Sequence, residues 1–460
     1  NGAAQSAPFS FAAERDMVGA IVVWGFLPMF ERIQLVAALL VSLPAAAFAA
    51  LPDYAATEIE ARTNLLVNDE GFNLPPGSSF NSISADIDDD AHVAFRVQLV
   101  PDAANPNQYR PGLWFGGHGE GGIVWTGAID GSIDNDVHIT HPPGANFVYI
   151  PLAAGDGGFD NSLQLYGQNL GDPVGSAVPF DTAPVIPNYY GYPTLGNAGA
   201  MSFQANFASG RAYVTIVQDG DQNVVSQFIG DRNVTSSSPY TYLYTPSTNY
   251  WLTFAAKVAY SEDMTSSVEI RLFPNIGDSR RILANNVLDP DSPYSKFDNS
   301  LALDGDSTVA VVATRASDNR RVLLRSDGIT TVEIAEVDPA GTIRDIAFFA
   351  PAINDAGVVA FRAKDANGDA IYVGDGESLK RVAGNGDVVE TDLGTAQLGQ
   401  DNDSDPVFSG QPAINARGDV AYVAGVYPEG DRGTEWGSGV FVAYAEPVIT
   451  DTIFASGFDG

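Results

Sequence analysis

Pro351–Val382 reads PAINDAGVVAFRAKDANGDAIYVGDGESLKRV, and its periodicity decides the fold. Pro351–Ile353 is a short strand running into the turn Asn354-Asp355-Ala356-Gly357, whose Asn and Gly tolerate left-handed backbone. Val358–Ala363 follows, β-branched and aromatic, with Arg362 interrupting an apolar run. Asn367-Gly368, flanked by apolar segments, is a strong hairpin signal. Ala370–Val373 is a third strand, Gly374-Asp375-Gly376 turns again, and Leu379–Val382 is a fourth. Four short antiparallel strands in one recurring unit describe the blade of a β-propeller.

The unit recurs. The tripeptide Val359-Ala360-Phe361 has counterparts in Val93-Ala94-Phe95, Met201-Ser202-Phe203, Leu252-Thr253-Phe254, Val309-Ala310-Val311 and Val420-Ala421-Tyr422, with Phe147-Val148-Tyr149 a weaker copy. Starts at 93, 147, 201, 252, 309, 359 and 420 lie 54, 54, 51, 57, 50 and 61 residues apart. This predicts an all-β chain whose residues 50–445 form one seven-bladed β-propeller. The alternative is six blades, with the irregular second unit, about Asp130–Phe180, as an insertion.

The last unit supplies only three strands, Pro412–Ile414, Asp419–Gly425 and Gly439–Tyr444. Asn64–Asp69 resembles Leu379–Gly384, the fourth strand of the clean copy. An N-terminal strand at Asn64–Val67 is therefore expected to pair with Gly439–Tyr444, complete the last blade and remove a free sheet edge. Asp392–Asp405 reads as a polar insertion between the sixth and seventh units.

Composition narrows the function. The 460 residues carry a formal net charge of −34, which excludes a basic footprint for nucleic acid and favours solubility and cation binding. With no cysteine there are no disulfides, thiol nucleophiles or thiolate metal sites. No sustained helical period appears beyond the N-terminal region.

Residues 1–49 read as an upstream segment followed by a signal peptide. From Met29 the chain has a short n-region with Arg32, an apolar stretch Leu35–Leu43, and the small-residue site Ala47-Phe48-Ala49. That predicts export, with cleavage after Ala49 and no transmembrane span in the mature chain. An uncleaved anchor is the alternative, because Glu31 weakens the n-region. Residues 446–460 form a C-terminal tail; Asp451–Gly460 resembles short terminal tags of exported proteins in some Gram-negative bacteria, and a loose tail is the plainer reading.

The units with the pattern P-x-I-N-x-x-G-x-V-A-F followed by x-Y-V-x-D-G, clearest in Pro351–Gly376 and Pro412–Val442, resemble those of exported bacterial propeller-like repeat proteins of the choice-of-anchor type. The resemblance implies the fold and an extracellular, surface or periplasmic location, and no particular activity.

Site chemistry is sparse. There is no G-x-S-x-G, no H-E-x-x-H and no phosphate-cradling loop. The histidines are His92, His118, His138 and His141; His138 and His141, near Asp134 and Asp136, share a metal only if a turn lies between them. Acidic turns occur at Asp86–Asp90, Asp130–Asp136, Asp365–Asp369 and Asp401-x-Asp403-x-Asp405. Asp401, Asp403 and Asp405 are the preferred calcium candidates, and turn chemistry is the plainer reading of all four. Trp114, Trp125, Trp251 and Trp436 are candidates for sugar stacking, against the commoner role of core packing.

Two functions stay open. The first is an exported, non-enzymatic binding propeller, expected to be monomeric, with a protein or glycan ligand. The second is an extracellular carbohydrate-active hydrolase or lyase with a carboxylate site in the central funnel. A funnel of small and apolar residues favours the first; acidic, arginine and aromatic residues clustered at one mouth favour the second.

Overall fold

The computed structural model describes residues 50–64, 71–80, 83–100, 108–127, 129, 132–133, 137–139, 147–153, 162–167, 189–196, 200–219, 222–402 and 405–446. No helix occurs among the described residues, and the strands assemble into seven sheets. The first contains Asp86–Ile87, Val93–Leu99, Arg110–Gly117 and Glu120–Thr126. Ser132–Ile133, His138–Ile139, Phe147–Ala153 and Ser162–Gly167 make the second. The third is Tyr189–Leu195, Met201–Asn206, Arg211–Asp219 and Gln222–Gly230. In the fourth lie Tyr242–Thr248, Phe254–Ala259, Val268–Phe273 and Arg280–Ala284. The fifth holds Tyr294–Leu303, Val309–Arg315, Arg321–Ser326 and Thr331–Glu336. Asp345–Ile346, Ala352–Ile353, Val359–Asp365, Gly368–Gly374 and Leu379–Gly384 form the sixth. The seventh is built on Phe408–Ile414, Val420–Pro428 and Gly437–Glu446.

The fold is a β-propeller, and the repeated tripeptide explains why. Side chains alternate across a strand, so its outer two residues face one neighbour and its middle residue the other. Val359 and Phe361 pack with Val312 and Leu323 of the fifth sheet, while Ala360 packs with Phe408 and Tyr422 of the seventh. Val309 and Val311 likewise face the fourth sheet, and Ala310 the sixth. Large residues of one sheet thus enter the space left by alanine on the next. The same packing joins the seventh sheet to the first, where Ala421, Val423 and Val442 meet Val93 and Phe95.

Ser132–Ile133 with His138–Ile139, and Asp345–Ile346 with Ala352–Ile353, are each one innermost strand in two pieces. With those pairs so taken, six of the seven tripeptides open the strand next to the innermost one, the second of their sheet. The exception is Leu252, which belongs to the preceding turn with φ 63°; that strand opens at Phe254. At the expected Asn367-Gly368 hairpin, Asp365 pairs with Gly368, so Ala366 and Asn367 form the loop and Gly368 is the left-handed residue after it, φ 114°.

Two expectations are corrected. The strand beside Gly437–Glu446 is Asp53–Arg62, in the register Thr57↔Ala443, Ile59↔Phe441 and Arg62↔Gly439. Residues 65–67 of the expected Asn64–Val67 strand lie outside the described residues. Arg62 then forms a bidentate pair with Asp392, Nε–Oδ1 and Nη2–Oδ2 both 2.8 Å, and donates to the Trp436 carbonyl at 2.8 Å. The expected polar insertion, Asp392–Asp405, holds a strand, Gly394–Leu398, that forms a hairpin with the preceding Val388–Thr391 and extends the sheet along Val420–Pro428. Its buried Ala396 and Leu398 supply apolar burial that the surrounding polar residues concealed.

Candidate functional site: the central channel

All seven sheets contribute to the wall of one cavity of about 830 Å³. Most of that wall is small, hydroxylated or aliphatic, as in Thr194, Ser247, Ser300, Ala302, Pro412 and Ile414.

At one end the chain passes from an innermost strand to the second strand through a repeated turn. Asp88, Asn249, Asp304, Asn354 and Asn415 each accept on Oδ1 the backbone N–H four residues on, at 2.8, 3.2, 2.7, 3.1 and 2.9 Å. The residue three positions on is left-handed every time: Ala91 65°, Leu252 63°, Ser307 68°, Gly357 75° and Gly418 94°. The side-chain oxygen substitutes for the ladder partners these amides lack in the turn.

Where the turn begins with asparagine, its Nδ2 also reaches the next sheet. Asn249 donates to the Asp304 carbonyl at 2.9 Å, Asn354 to Asn415 at 3.0 Å, and Asn415 to Asp88 at 2.9 Å. A carboxylate cannot donate in this way. From the fifth sheet to the sixth the link therefore runs in reverse, with the Gly305 N–H donating to Asp355 Oδ1 at 2.7 Å. Asp89 Oδ1 similarly accepts from the Ala416 N–H at 3.0 Å. Burial pushes the Asp304 carboxyl up to about 6, with the Thr308 hydrogen bonds opposing and the Asp355 and Asp306 charges adding.

A second set of links ties the innermost strands to the preceding sheets. The innermost strands are kinked, with register breaks at Leu243/Pro246, Phe297/Leu301 and Ser409/Ala413. Each kink holds a carbonyl capped by the fourth residue of the preceding sheet's second strand. Gln204 Nε2 donates to Tyr244 O at 3.0 Å, Lys257 Nζ to Phe297 O at 2.9 Å, and Arg362 Nη1 to Gly410 O at 2.7 Å. Arg96, at the same position of the first sheet, donates to Ile133 O at 3.1 Å. Gly410 is needed here because a Cβ would lie 2.3 Å from the Ile83 carbonyl oxygen. Lys257 also donates to Asn299 Oδ1 at 2.9 Å and sits 4.3 Å from the Tyr244 ring centroid. Burial brings its ammonium down to about 8 against the pull of Asp298. The residue that interrupts the apolar run at Arg362 is thus a cap between sheets; comparing the fourth position across strands was the signal that could have found it.

The candidate cation residues separate. Asp403 lies outside the described residues; Asp401 and Asp405 are exposed. They flank Glu435, whose carboxyl burial raises first and their charges raise further. Among the described residues no group of three His, Asp or Glu is placed to hold a metal ion. Asp365 is engaged by Arg381 Nε at 3.0 Å and the Tyr372 hydroxyl at 3.1 Å. His141, Asp134 and Asp136 lie outside the described residues, whereas His138 lines the channel with Nδ1 3.6 Å from Asp86 Oδ2.

The tryptophans divide as well. Trp114 is fully buried, stacked on Phe95 at 4.8 Å, with Nε1 donating to the Asn73 carbonyl at 3.0 Å. Trp125 and Trp436 pack against core clusters. Trp251 is 60% exposed, in the turn after Asn249 at the rim of the channel, beside Tyr250.

No family model matches the chain, and no curated protein matches it. Solved structures similar to it include a catalytically inactive virginiamycin B lyase from Staphylococcus aureus, 11% identical over 85% of this chain and 100% of that one, TM-score 0.40. An oligogalacturonate lyase from Vibrio parahaemolyticus is 10% identical over 79% and 96%, TM-score 0.42. A calcium-binding regucalcin from Agrobacterium tumefaciens is 12% identical over 67% and 88%, TM-score 0.33.

Proposed function

We propose that this is an exported, non-enzymatic binding propeller that takes a glycan into the turn-side mouth of its channel and stacks a sugar ring on Trp251. On this reading each of the seven sheets is one blade, and Asp53–Arg62 is the strand that completes the last. Export rests on the Met29–Ala49 pattern and the resemblance of the repeats.

The observation that carries the binding site is the 60% exposed indole at the rim of an 830 Å³ cavity. An indole beside an open cavity offers the flat apolar face that a sugar's C–H surface covers. The turn-side carboxylates Asp89, Asp304 and Asp355 each commit Oδ1 to a backbone amide, which favours binding over acid–base chemistry. The small and aliphatic wall supports the same choice. Against it, Asp89, Asp355, Tyr250 and Trp251 at the turn-side mouth are the acidic and aromatic set that favours a hydrolase or lyase, and product analysis decides between the two.

Thermal unfolding of the chain from Ala50 with a panel of polysaccharides tests this, because a ligand specific to the folded state raises the midpoint by mass action. One glycan should raise it, Trp251→Ala should abolish the rise, and product analysis should find the glycan intact. Cleaved product would replace binding with catalysis; an equal rise in the variant would move the site elsewhere. Calcium belongs to the same proposal as a structural ion of the 401–405 loop. It should raise the midpoint over chelator, and Asp401→Asn should remove that increment.

A further inference from the structure

We propose that the seam between Asp53–Arg62 and its neighbours is a proton-operated latch, closed when the Glu60 carboxyl is neutral and loosened when it ionises. The proposal is independent of glycan binding. Glu60 is completely buried where the pairing with Gly437–Glu446 slips between Ile59 and Ala61. Its Oε2 accepts the Gly119 N–H at 2.9 Å, and its Oε1 has no hydrogen-bond partner.

The groups around it come from three elements. Glu58, on the same strand, accepts the Tyr444 hydroxyl at 3.0 Å from the Gly437–Glu446 strand. Across the seam, the tip between Arg110–Gly117 and Glu120–Thr126 brings His118, stacked on Tyr444 with centroids 5.7 Å apart and Nδ1 3.2 Å from its hydroxyl. His118 Nε2 is 3.2 Å from the Asp90 carbonyl. The Asn73 amide bridges the two sides, donating to the Glu60 carbonyl at 2.8 Å and to Gly119 O at 2.9 Å. Farther off, Asp419 acts on Tyr444 and on Tyr54.

Among the described residues no lysine or arginine pairs with Glu58 or Glu60, and no metal-holding triad includes them. The occupant that suits a bare, buried carboxyl oxygen beside a second carboxylate is a proton. Burial pushes the Glu60 carboxyl up to about 7, with the Gly119 amide opposing, the Glu58 charge adding, and the Tyr444 hydroxyl and His118 backbone opposing more weakly. For an acid whose value is raised on folding, the associated stability is complete below its ordinary value of 4.5 and lost as pH rises through about 7. The loss falls on the strand that ties the two ends of the ring together.

Amide hydrogen exchange of Ala56–Arg62, compared between wild type and Glu60→Gln at each pH, isolates the effect, because intrinsic exchange chemistry cancels. The ratio should be lowest below pH about 4.5, climb by up to about tenfold per unit as pH rises toward about 7, and level off above it. The strand Val309–Arg315 should show no such trend. A ratio that does not change with pH, or the same trend in Val309–Arg315, overturns the latch. If Glu60→Gln does not fold, Glu58→Gln takes its place. Easing the repulsion should lessen the alkaline loosening, and an unchanged profile overturns the proposal equally.

Discussion

Asp304→Asn should stabilise the protein at neutral pH, and the gain should vanish in acid. At the equivalent turn positions of the fourth, sixth and seventh sheets, asparagine accepts the amide four residues on and also donates to the next sheet. Asp304 performs only the first task, and its carboxylate is 5% exposed near Asp355 and Asp306. Its carboxyl rises from 3.8 to about 6 on folding. A shift of that size is worth about 3 kcal/mol when the group is fully ionised, and about 1–2 kcal/mol once water at the channel mouth screens it. The sign is that of a raised acid: the stability is present below 3.8 and lost as pH rises through about 6. The variant's amide would lose nothing on that rise and would add a donor facing the Asn354 carbonyl, worth about 1 kcal/mol.

Urea unfolding of both proteins at several pH values between about 4 and 8 measures this, read from midpoints at constant slope. The expected difference is about 2–3 kcal/mol at pH 8, shrinking to the hydrogen-bond part, about 1 kcal/mol, near pH 4. A variant that is less stable at every pH would show that the carboxylate has a partner an amide cannot serve. A gain independent of pH would show that Asp304 is already protonated or well solvated, and the burial argument would fail.

Two further outcomes follow from the same links between sheets. Lys257→Met should be close to neutral at pH 7, because removing a buried charge offsets an uncapped Phe297 carbonyl, each about 1–3 kcal/mol. It should also abolish the part of the wild-type stability that rises from pH 8 toward 10.5, the window in which the unfolded lysine holds a proton the folded one has lost; denaturant titration across that range reads it. Arg62→Met should cost about 3–5 kcal/mol by leaving Asp392 unpaired, while Arg62→Met with Asp392→Leu should recover most of the loss in the same assay; equal losses in both would assign the cost to packing.

The propeller was legible because its packing rule is written in single residues. Large–small–large triplets such as Val359-Ala360-Phe361 are visible in the chain, and nearly all begin their strands where the period placed them. Leu252 broke the period because an apolar residue in a left-handed turn is indistinguishable by composition from the first residue of a strand. The strand Asp53–Arg62 escaped notice for a different reason. Glu60 and Arg62 look solvent-facing, and what makes them inward residues is the Gly119 amide and the Asp392 carboxylate, which only the folded chain brings near. Sequence similarity to Leu379–Gly384 drew the expectation to Asn64–Val67 instead. The interruption at Arg362 was visible, but its purpose depends on a kink in another sheet at Gly410.

The turn geometry also explains where a binding surface can vary without loss of the fold. The first residue of each turn must offer a side-chain oxygen to the amide four residues on, and the fourth must accept a left-handed backbone. Both are therefore held by structure. The two between them carry neither duty, and they differ from sheet to sheet: Asp89 and Asp90, Tyr250 and Trp251, Gly305 and Asp306, Asp355 and Ala356, Ala416 and Arg417. Some, such as Asp89 and Asp355, are drawn into links with a neighbour. Trp251 has an indole 60% open and no such task. A ring that fixes alternate constraints at its rim and leaves paired positions between them presents a set of side chains free to match a ligand, and Trp251 is where that freedom has been used to place an aromatic face in water.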